Sequence, residues 1–279
     1  LRVPELGLPH FSGGMVGYWS YDQALAKHKL VSAKTVKTVS AQSFMVPGVV
    51  LVYDRVERKL RLIFWLKSSS FSPEKYQDVA DQMKLVHDLA LDCRFKEIPS
   101  PYLDGKNIDF ESQFSVNADK DTYCNWVLKA KDHIIKGDIF QVVLSRRWQR
   151  RSPADPWQVY QIMRRLNPSP YMFFVKMKDL VLLGASPEMQ VKVVNKAVQL
   201  RPIAGTRKVT GNPVRDQELK DELFSDEKER AEHLMLVDLG RNDVGRVSSA
   251  GTVEVIDFMK IEPYSHVMHL VSSITGKLR

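Results

Sequence analysis

The alternation of apolar and polar positions along the 279-residue chain predicts strands near both ends and helices between them. Apolar, β-branched runs within residues 11–66 indicate strands, and the polar residues at 55–58 indicate the turn of a hairpin. Helical spacing then runs through residues 72–91, with Pro73 in the first turn. Residues 92–116, which are rich in Pro, Asp and Ser, are predicted to form a long connection.

Beyond this connection, the pattern predicts a helix that is capped by Asn117 or Asp119 and stopped by Gly137. Strands come in blocks separated by single helices, without regular βαβ alternation, so the sequence predicts an α+β fold. We interpret the chain as one domain with an N-terminal portion, 1–91, the connection, 92–116, and a motif-bearing portion, 117–279. The strands predicted in the last portion lie at 139–148, 171–176, 180–183, 189–194, 197–202 and 252–278, and its further helices lie at 157–166 and within 213–240.

The charge balance of the chain favours an anionic partner, because the formal net charge is +8. No run of five Lys or Arg residues occurs, so a nucleic-acid partner is not expected. No stretch of 18 apolar residues occurs either, so the sequence predicts no membrane span. Two cysteines are too few for a disulfide framework and suit a reducing compartment such as the cytoplasm.

Glu232 occupies a costly position in the predicted helix. At offsets of three, four and seven it is followed by Met235, Leu236 and Leu239, which places its carboxylate on an apolar stripe. Such a carboxylate needs a partner. Lys228, one turn earlier, offers an ion pair, and a bound divalent cation is the alternative.

Two further residues are candidates for acid–base chemistry. Glu188 follows a predicted strand in the segment Gly-Ala-Ser-Pro-Glu, where burial would raise its pKa and suit it to proton transfer. A solvated turn glutamate is the other interpretation. His269 lies on a predicted strand face with Val267 and Val271, which fits either a core histidine or a catalytic one.

A candidate anion-binding loop lies at residues 201–207, where a predicted strand runs into a glycine turn. Gly205 allows close approach of the backbone, Thr206 offers a hydroxyl, and Arg201 and Arg207 supply guanidinium groups that suit carboxylates. An ordinary polar turn is an equally good interpretation of this segment.

Taken together, the motifs resemble those of the chorismate-utilising enzymes, and most closely those of the large subunits of anthranilate synthase. They occur in the order of that family and extend over nearly the whole chain. The matching segments are FSGG at 11–14, GDIFQVVLSR at 137–146, NPSPYMFF at 167–174, GASPE at 184–188, PIAGTR at 202–207, AEHLMLVDLGRND at 231–243 and YSHVMHLVS at 264–272.

The resemblance implies a fold of two packed antiparallel β-sheets flanked by helices. It also implies that the chain is truncated at both ends and lacks the C-terminal part of the family's large subunit. We therefore expect the sheet sandwich to be incomplete and the 279-residue chain alone to have little or no activity.

The resemblance also implies roles for individual residues. Glu232 would help to hold Mg²⁺, which binds the ring carboxylate of chorismate. Glu188 would be the general acid that protonates the departing hydroxyl, and His269 would assist the later elimination of pyruvate. The segment around Gly205 and Thr206 would contact the substrate.

Two positions distinguish the branches of the family. Relatives that add water carry a lysine base where Gln141 stands, and relatives that make aminodeoxychorismate typically carry a nucleophilic lysine where Ala204 stands. With both lysines absent, the resemblance implies addition of ammonia and hence an anthranilate synthase large subunit, with Gln141 and Ala204 in the substrate site. The alternatives are an aminodeoxychorismate synthase or other chorismate enzyme, and a non-catalytic chain that binds tryptophan or the amidotransferase.

The resemblance finally implies partners for the chain. A glutamine amidotransferase subunit would supply ammonia, so we expect a hetero-oligomer. Pro170, Tyr171 and Met172 match a segment that lines the pocket for tryptophan, the feedback inhibitor, although a core strand explains this segment as well. A plastid location replaces the cytoplasmic one if the source is a plant or an alga.

Overall fold

The computed structural model describes residues 11–21, 23, 41–66, 69, 72–92, 114–264 and 266–279. The chain divides into two compact units, of which the first contains residues 1–97 and 175–182 and the second contains residues 98–174 and 183–279. None of the helices in the described ranges combines the length and the apolar character that a bilayer crossing requires.

Most of the strands and helices lie where the sequence pattern predicts them. The strands are β1 (Val16–Trp19), β2 (Gln42–Met45), β3 (Val49–Asp54), β4 (Lys59–Phe64), β5 (Ser115–Val116), β6 (Trp148–Gln149), β7 (Tyr171–Lys176), β8 (Val181–Ser186), β9 (Lys192–Val194), β10 (Ala197–Leu200), β11 (Ile203–Lys208), β12 (Glu254–Pro263) and β13 (Val267–Lys277). The helices are α1 (Pro73–Leu91), α2 (Lys120–Ile135), α3 (Pro156–Leu166), α4 (Pro213–Ser225) and α5 (Glu227–Val247).

In the first unit, the predicted hairpin forms from β3 and β4. Its turn is stabilised by Asp54, whose carboxylate accepts hydrogen bonds from the backbone N–H groups of Val56 and Glu57, both at 2.9 Å. Helix α1 begins as predicted, with the Ser72 side chain accepting from the backbone N–H of Lys75 and Pro73 in the first turn.

In the second unit, helix α2 has both of its predicted ends. The Asp119 carboxylate accepts a hydrogen bond from the backbone N–H of Thr122 at 2.8 Å. At the other end Gly137 has φ +77°, its N–H bonds to the carbonyl of Ile134, and the N–H of Asp138 bonds to that of His133. This pair of bonds is the Schellman arrangement that favours glycine at the end of a helix.

A five-stranded antiparallel sheet forms the centre of the second unit. Strand β13 pairs with β11 and β10 along one side and with β12 along the other, and β9 extends the sheet beyond β10. The apolar core lies between this sheet and helix α5, where Ile274 of β13 and Val198 of β10 cluster with Val237 and Val244. Gly240 lets the helix approach closely, because a Cβ there would lie 2.6 Å from Cδ1 of Ile274.

The strand predicted at residues 139–148 is wrong for most of its length. Residues 139–147 have no regular structure, Phe140 is 90% exposed, and Val143 is 85% exposed. A strand needs a neighbour to satisfy its backbone groups, and within the described residues only Trp148 and Gln149 find one, in β5. An apolar pattern alone does not specify a pairing partner.

The helical stretch predicted at 213–240 is divided into α4 and α5 at Asp226, and α5 continues to Val247. The Asp226 side chain starts the second helix by accepting from the backbone N–H of Glu229 at 3.1 Å. The α+β class with antiparallel sheets is confirmed. The predicted connection at 92–116 falls largely outside the described residues.

Candidate functional site

His269 is held in one orientation by the neighbouring strand β11. Its Nδ1 lies 3.0 Å from the carbonyl oxygen of Gly205 and 3.1 Å from the hydroxyl oxygen of Thr206. A carbonyl oxygen can only accept, so the hydrogen bond to Gly205 assigns the proton of the neutral ring to Nδ1. Nε2 of His269 is then left with a free lone pair, which is the form a proton acceptor needs.

The Gly205 carbonyl is aimed at His269 by a β-bulge. Gly205 has φ +66°, and the register of β11 against β13 shifts between Ala204 and Thr206. Ala204 therefore pairs with Leu270 and is buried, whereas Thr206 pairs with His269. The bulge places the Thr206 hydroxyl beside the histidine and puts the Ala204 methyl in the core.

Glu188 lies near His269 at the end of β8. The hydroxyl of Ser186 accepts from the backbone N–H of Glu188 at 3.3 Å, which fixes the turn that presents the carboxyl group. Partial burial raises the pKa of Glu188, and a positive charge on His269, when its ring is protonated, acts in the opposite direction. A carboxyl group with a raised pKa keeps its proton to higher pH, as a general acid requires.

Glu188 also lines a cavity of about 420 Å³ beside helix α5. Both polar and apolar side chains line the cavity. Its lining residues are Ser186, Glu188, Gln190, Leu200, Leu236, Leu239, Gly240 and Asp243.

Glu232 has a different setting from the one predicted. The stripe of α5 that packs on the sheet contains His233, Val237, Gly240 and Val244, so Glu232 lies at its margin and is half-buried. Leu239, the third residue of the predicted apolar stripe, is 56% exposed. The reason is that Glu232 precedes the buried stripe by one residue, or about 100° around the helix.

The partner of Glu232 is Gln141 rather than Lys228. Nε2 of Gln141 donates to Oε1 of Glu232 at 3.3 Å, across 91 positions of sequence. No ion pair with Glu232 occurs among the residues that the structure describes. The segments at 137–146 and 231–243 are thus joined by a direct side-chain contact.

The carboxylate of Glu232 fits a divalent cation only as part of a larger ligand set. Within the described ranges, no three His, Cys, Asp or Glu side chains are grouped so that they could hold a metal ion. Mg²⁺ commonly takes one or two carboxylates and completes its octahedron with water and substrate oxygens, and Glu232 suits that manner of binding. The amide of Gln141 leaves the negative charge of Glu232 uncompensated.

Both arginines of the candidate anion-binding loop have carboxylate partners within the protein. Arg201 contacts Glu262 at 2.5 Å, and Arg207 contacts Glu222 at 2.8 Å and Asp226 at 3.0 Å. Arg207 therefore ties β11 to the junction of α4 and α5. The geometry favours a structural role for Arg207 over direct binding of an anion.

The segment predicted to contact tryptophan forms the start of β7. Pro170 and Tyr171 are exposed, and Met172 is half-buried. The next residue, Phe173, places its ring against Gly184 of β8, where a Cβ would lie 2.6 Å from Cε1 of the ring. The two strands are paired. Any side chain at position 184 would thus collide with the Phe173 ring of the paired strand, so Gly184 is required there.

Sequence reasoning missed two contacts of strand β13, one at His269 and one at Ser272. Tyr264 packs its ring against His269, with ring centroids 5.4 Å apart. On the opposite face of β13, Ser272 contacts the fully buried His233 at 2.6 Å. Tyr264 opens the segment YSHVMHLVS at 264–272. A tyrosine hydroxyl at the end of a strand is the sequence signal that could have indicated this contact.

Comparison with known proteins finds a family match over nearly the whole chain. A family described as chorismate binding enzyme matches residues 2–279. Anthranilate synthase component 1 of Acetivibrio thermocellus is 43% identical over 273 residues, which is 98% of this chain and 55% of that protein. The chloroplastic anthranilate synthase alpha subunit 1 of Arabidopsis thaliana is 41% identical over 280 residues, covering 96% of this chain and 47% of the relative.

A solved structure, anthranilate synthase component I from Streptococcus pneumoniae, matches with a TM-score of 0.82 and 32% identity. The match covers 100% of this chain and 59% of that one. The chain spans about half the length of the curated relatives it matches.

Proposed function

Since the chain belongs to the chorismate binding enzyme family, we propose that it is part of the large subunit of an anthranilate synthase. This subunit would convert chorismate and ammonia to anthranilate and pyruvate. The observation that carries the proposal is the contact between Gln141 and Glu232. An amide has no basic nitrogen with which to activate water, so ammonia, which needs no such base, is the nucleophile that fits this position.

Proton transfers in the proposed reaction fall to Glu188 and His269. Glu188, with its raised pKa, would donate a proton to the departing ring hydroxyl, which leaves as water while ammonia adds to the ring. His269 holds its Nδ1 proton on the Gly205 carbonyl, so Nε2 is free to accept the ring proton when pyruvate is eliminated. Thr206, beside the same ring, offers a hydroxyl to the substrate.

Glu232 is the residue that we propose as a ligand of Mg²⁺. The bound ion would neutralise the ring carboxylate of chorismate. Gln141 would orient the Glu232 carboxylate by donating to one oxygen and leaving the other to the ion. For Ala204 the proposal concerns only the nucleophile that it lacks. Its buried methyl group provides no amine, so this position cannot form the covalent bond to the substrate that a lysine there would form.

The partners follow from the same proposal. A separate glutamine amidotransferase subunit would deliver ammonia, which is mostly protonated in neutral solution. Tryptophan would act on the segment Pro170, Tyr171 and Met172, whose exposed start leaves room for a ligand. A cytoplasmic location fits a biosynthetic enzyme, and a plastid would replace it in a plant or alga, since the plant relatives are named chloroplastic.

The test uses the complete polypeptide that the gene encodes, with chorismate, ammonium and Mg²⁺. Formation of fluorescent anthranilate supports the proposal, and Glu188→Gln should abolish it without changing the circular dichroism spectrum. Accumulation of aminodeoxychorismate would establish the alternative enzyme. If neither product forms while tryptophan or the amidotransferase binds, the chain has a non-catalytic role.

A further inference from the structure

The ring of Tyr264 packs against the ring of His269. The two rings meet edge to face, with an interplanar angle of 63° and centroids 5.4 Å apart. In β13 the residues Met268, Leu270 and Ser272 face the core, so His269 lies on the other face together with the side chains next to it in register. Tyr264 therefore contacts the imidazole on the face of β13 opposite Leu270 and Ser272.

The hydroxyl group of Tyr264 contacts Glu262, a carboxylate that forms an ion pair with Arg201. The Tyr264 hydroxyl lies 3.4 Å from Oε2 of Glu262, and Oε1 of the same carboxylate contacts Arg201 at 2.5 Å. Glu262 is the residue of β12 directly opposite His269. Burial and the charge of Glu262 raise the pKa of Tyr264, so its phenol remains a hydrogen-bond donor. Arg201, Glu262 and Tyr264 thus form a chain of contacts that ends at the imidazole.

Strand β11 orients the imidazole only through contacts at Nδ1, from the Gly205 carbonyl and the Thr206 hydroxyl, so packing against the ring itself adds a second restraint. Rotation by 180° about the bond to the ring would exchange Nδ1 with a carbon atom and remove the hydrogen bond to the Gly205 carbonyl. The proton would then be free to move to Nε2, which would leave the lone pair on Nδ1. A ring packed edge to face against the imidazole opposes this rotation.

We propose that Tyr264, held by the Arg201–Glu262 ion pair, is a positioning residue that keeps the proton of His269 on Nδ1 and its lone pair on Nε2. This inference rests on the proposed function only where it concerns turnover. The orientation and tautomer of the ring are properties of the protein without substrate.

The experiment is ¹⁵N NMR of histidine-labelled protein at a pH where His269 is neutral, since nitrogen shifts distinguish the two tautomers. The His269 signals are assigned by their loss in His269→Gln. The unsubstituted chain should show the Nδ1–H form as the dominant species. Tyr264→Phe keeps the ring and should retain that form, whereas Tyr264→Ala should lose its dominance. The signals of His233, which lies on the opposite face of the sheet, serve as the internal control and should not change.

A second variant protects the test against a failure to fold. If Tyr264→Ala does not give dispersed spectra, Tyr264→Leu preserves apolar volume and should show the same loss of the Nδ1–H form. An unchanged tautomer in the folded variant would overturn the proposal, even if anthranilate were formed. If the complete polypeptide is active, Tyr264→Ala should lower kcat with less effect on the KM for chorismate. Tyr264→Phe should retain most of the kcat of the parent protein.

Discussion

The hydroxyl oxygen of Ser272 lies 2.6 Å from Nε2 of His233 and also accepts the backbone N–H of Met259 at 2.9 Å. Both side chains are fully buried. Ser272→Ala would leave two polar groups without a partner in the core, so we expect the free energy of unfolding to fall by about 2–4 kcal/mol. Chemical denaturation of the 279-residue chain measures this change.

Ser248→Ala is the matched control for this substitution. Its hydroxyl is equally buried but has no hydrogen-bond partner among the described residues. Removing an unpartnered hydroxyl should change stability by less than about 0.5 kcal/mol or raise it. Equal losses for the two variants would show that the bonds of Ser272 do not stabilise the fold.

Gly205→Ala should destabilise the second unit. The φ of +66° disfavours any side chain, and the new Cβ would lie 2.7 Å from Cδ1 of Leu223. We expect a loss of about 1–3 kcal/mol, measured by thermal unfolding. In Gly245→Ala the new methyl group meets nothing within 4 Å and lies in helix α5, so this variant should be as stable as the parent or more stable.

The ionisation of Glu188 should cost stability. Because its pKa is raised on folding, the favourable contribution of the protonated form is complete below about pH 4.5 and is lost as pH rises through the folded-state pKa. Glu188→Gln should therefore be more stable than the parent at neutral pH, by less than about 1 kcal/mol because water screens this exposed group.

Denaturation curves at pH 4 and pH 7 measure this difference. The advantage of Glu188→Gln should shrink at the lower pH. An advantage that grows on acidification would mean that the folded state lowers the pKa of this carboxyl group instead of raising it.

Gln141→Lys should weaken the binding of divalent cations. The substitution places an ammonium group beside Glu232, where the amide now donates a hydrogen bond at 3.3 Å, and an ion pair would compete with the metal. Titration with Mn²⁺, followed by its paramagnetic resonance signal, should show at least a tenfold loss of affinity. Gln141→Met, which adds no charge, should bind within about threefold of the parent, and equal affinities for both variants would contradict the placement of the ion at Glu232.

Local signals predicted most of the regular structure because they depend on neighbours in sequence. Pro73 in the first turn of α1, the cap at Asp119, the stop at Gly137 and the hairpin turn at 55–58 all form as expected. Residues 139–147 were assigned wrongly because a strand depends on a distant partner that periodicity does not reveal.

The residues of the candidate site also divide into those that local sequence patterns predict and those that depend on distant contacts. Glu188, His269 and Thr206 could be selected from their local patterns, and the structure brings them together. The contact of Gln141 with Glu232 joins positions 91 residues apart, and the packing of Tyr264 on His269 depends on how the chain returns after β12. Neither contact follows from residue spacing, because both are set by tertiary packing.

Because of the bulge at Gly205, substitutions at Ala204 and at Thr206 should have independent effects, although only one residue separates the two positions. In a regular strand, Ala204 and Thr206 would share a face, and a change at one would disturb the other. Here the extra residue turns the first toward the core and the second toward His269. Protein engineers can therefore vary Thr206 without repacking the interior, and can repack around Ala204 without changing the side chain that lies beside His269.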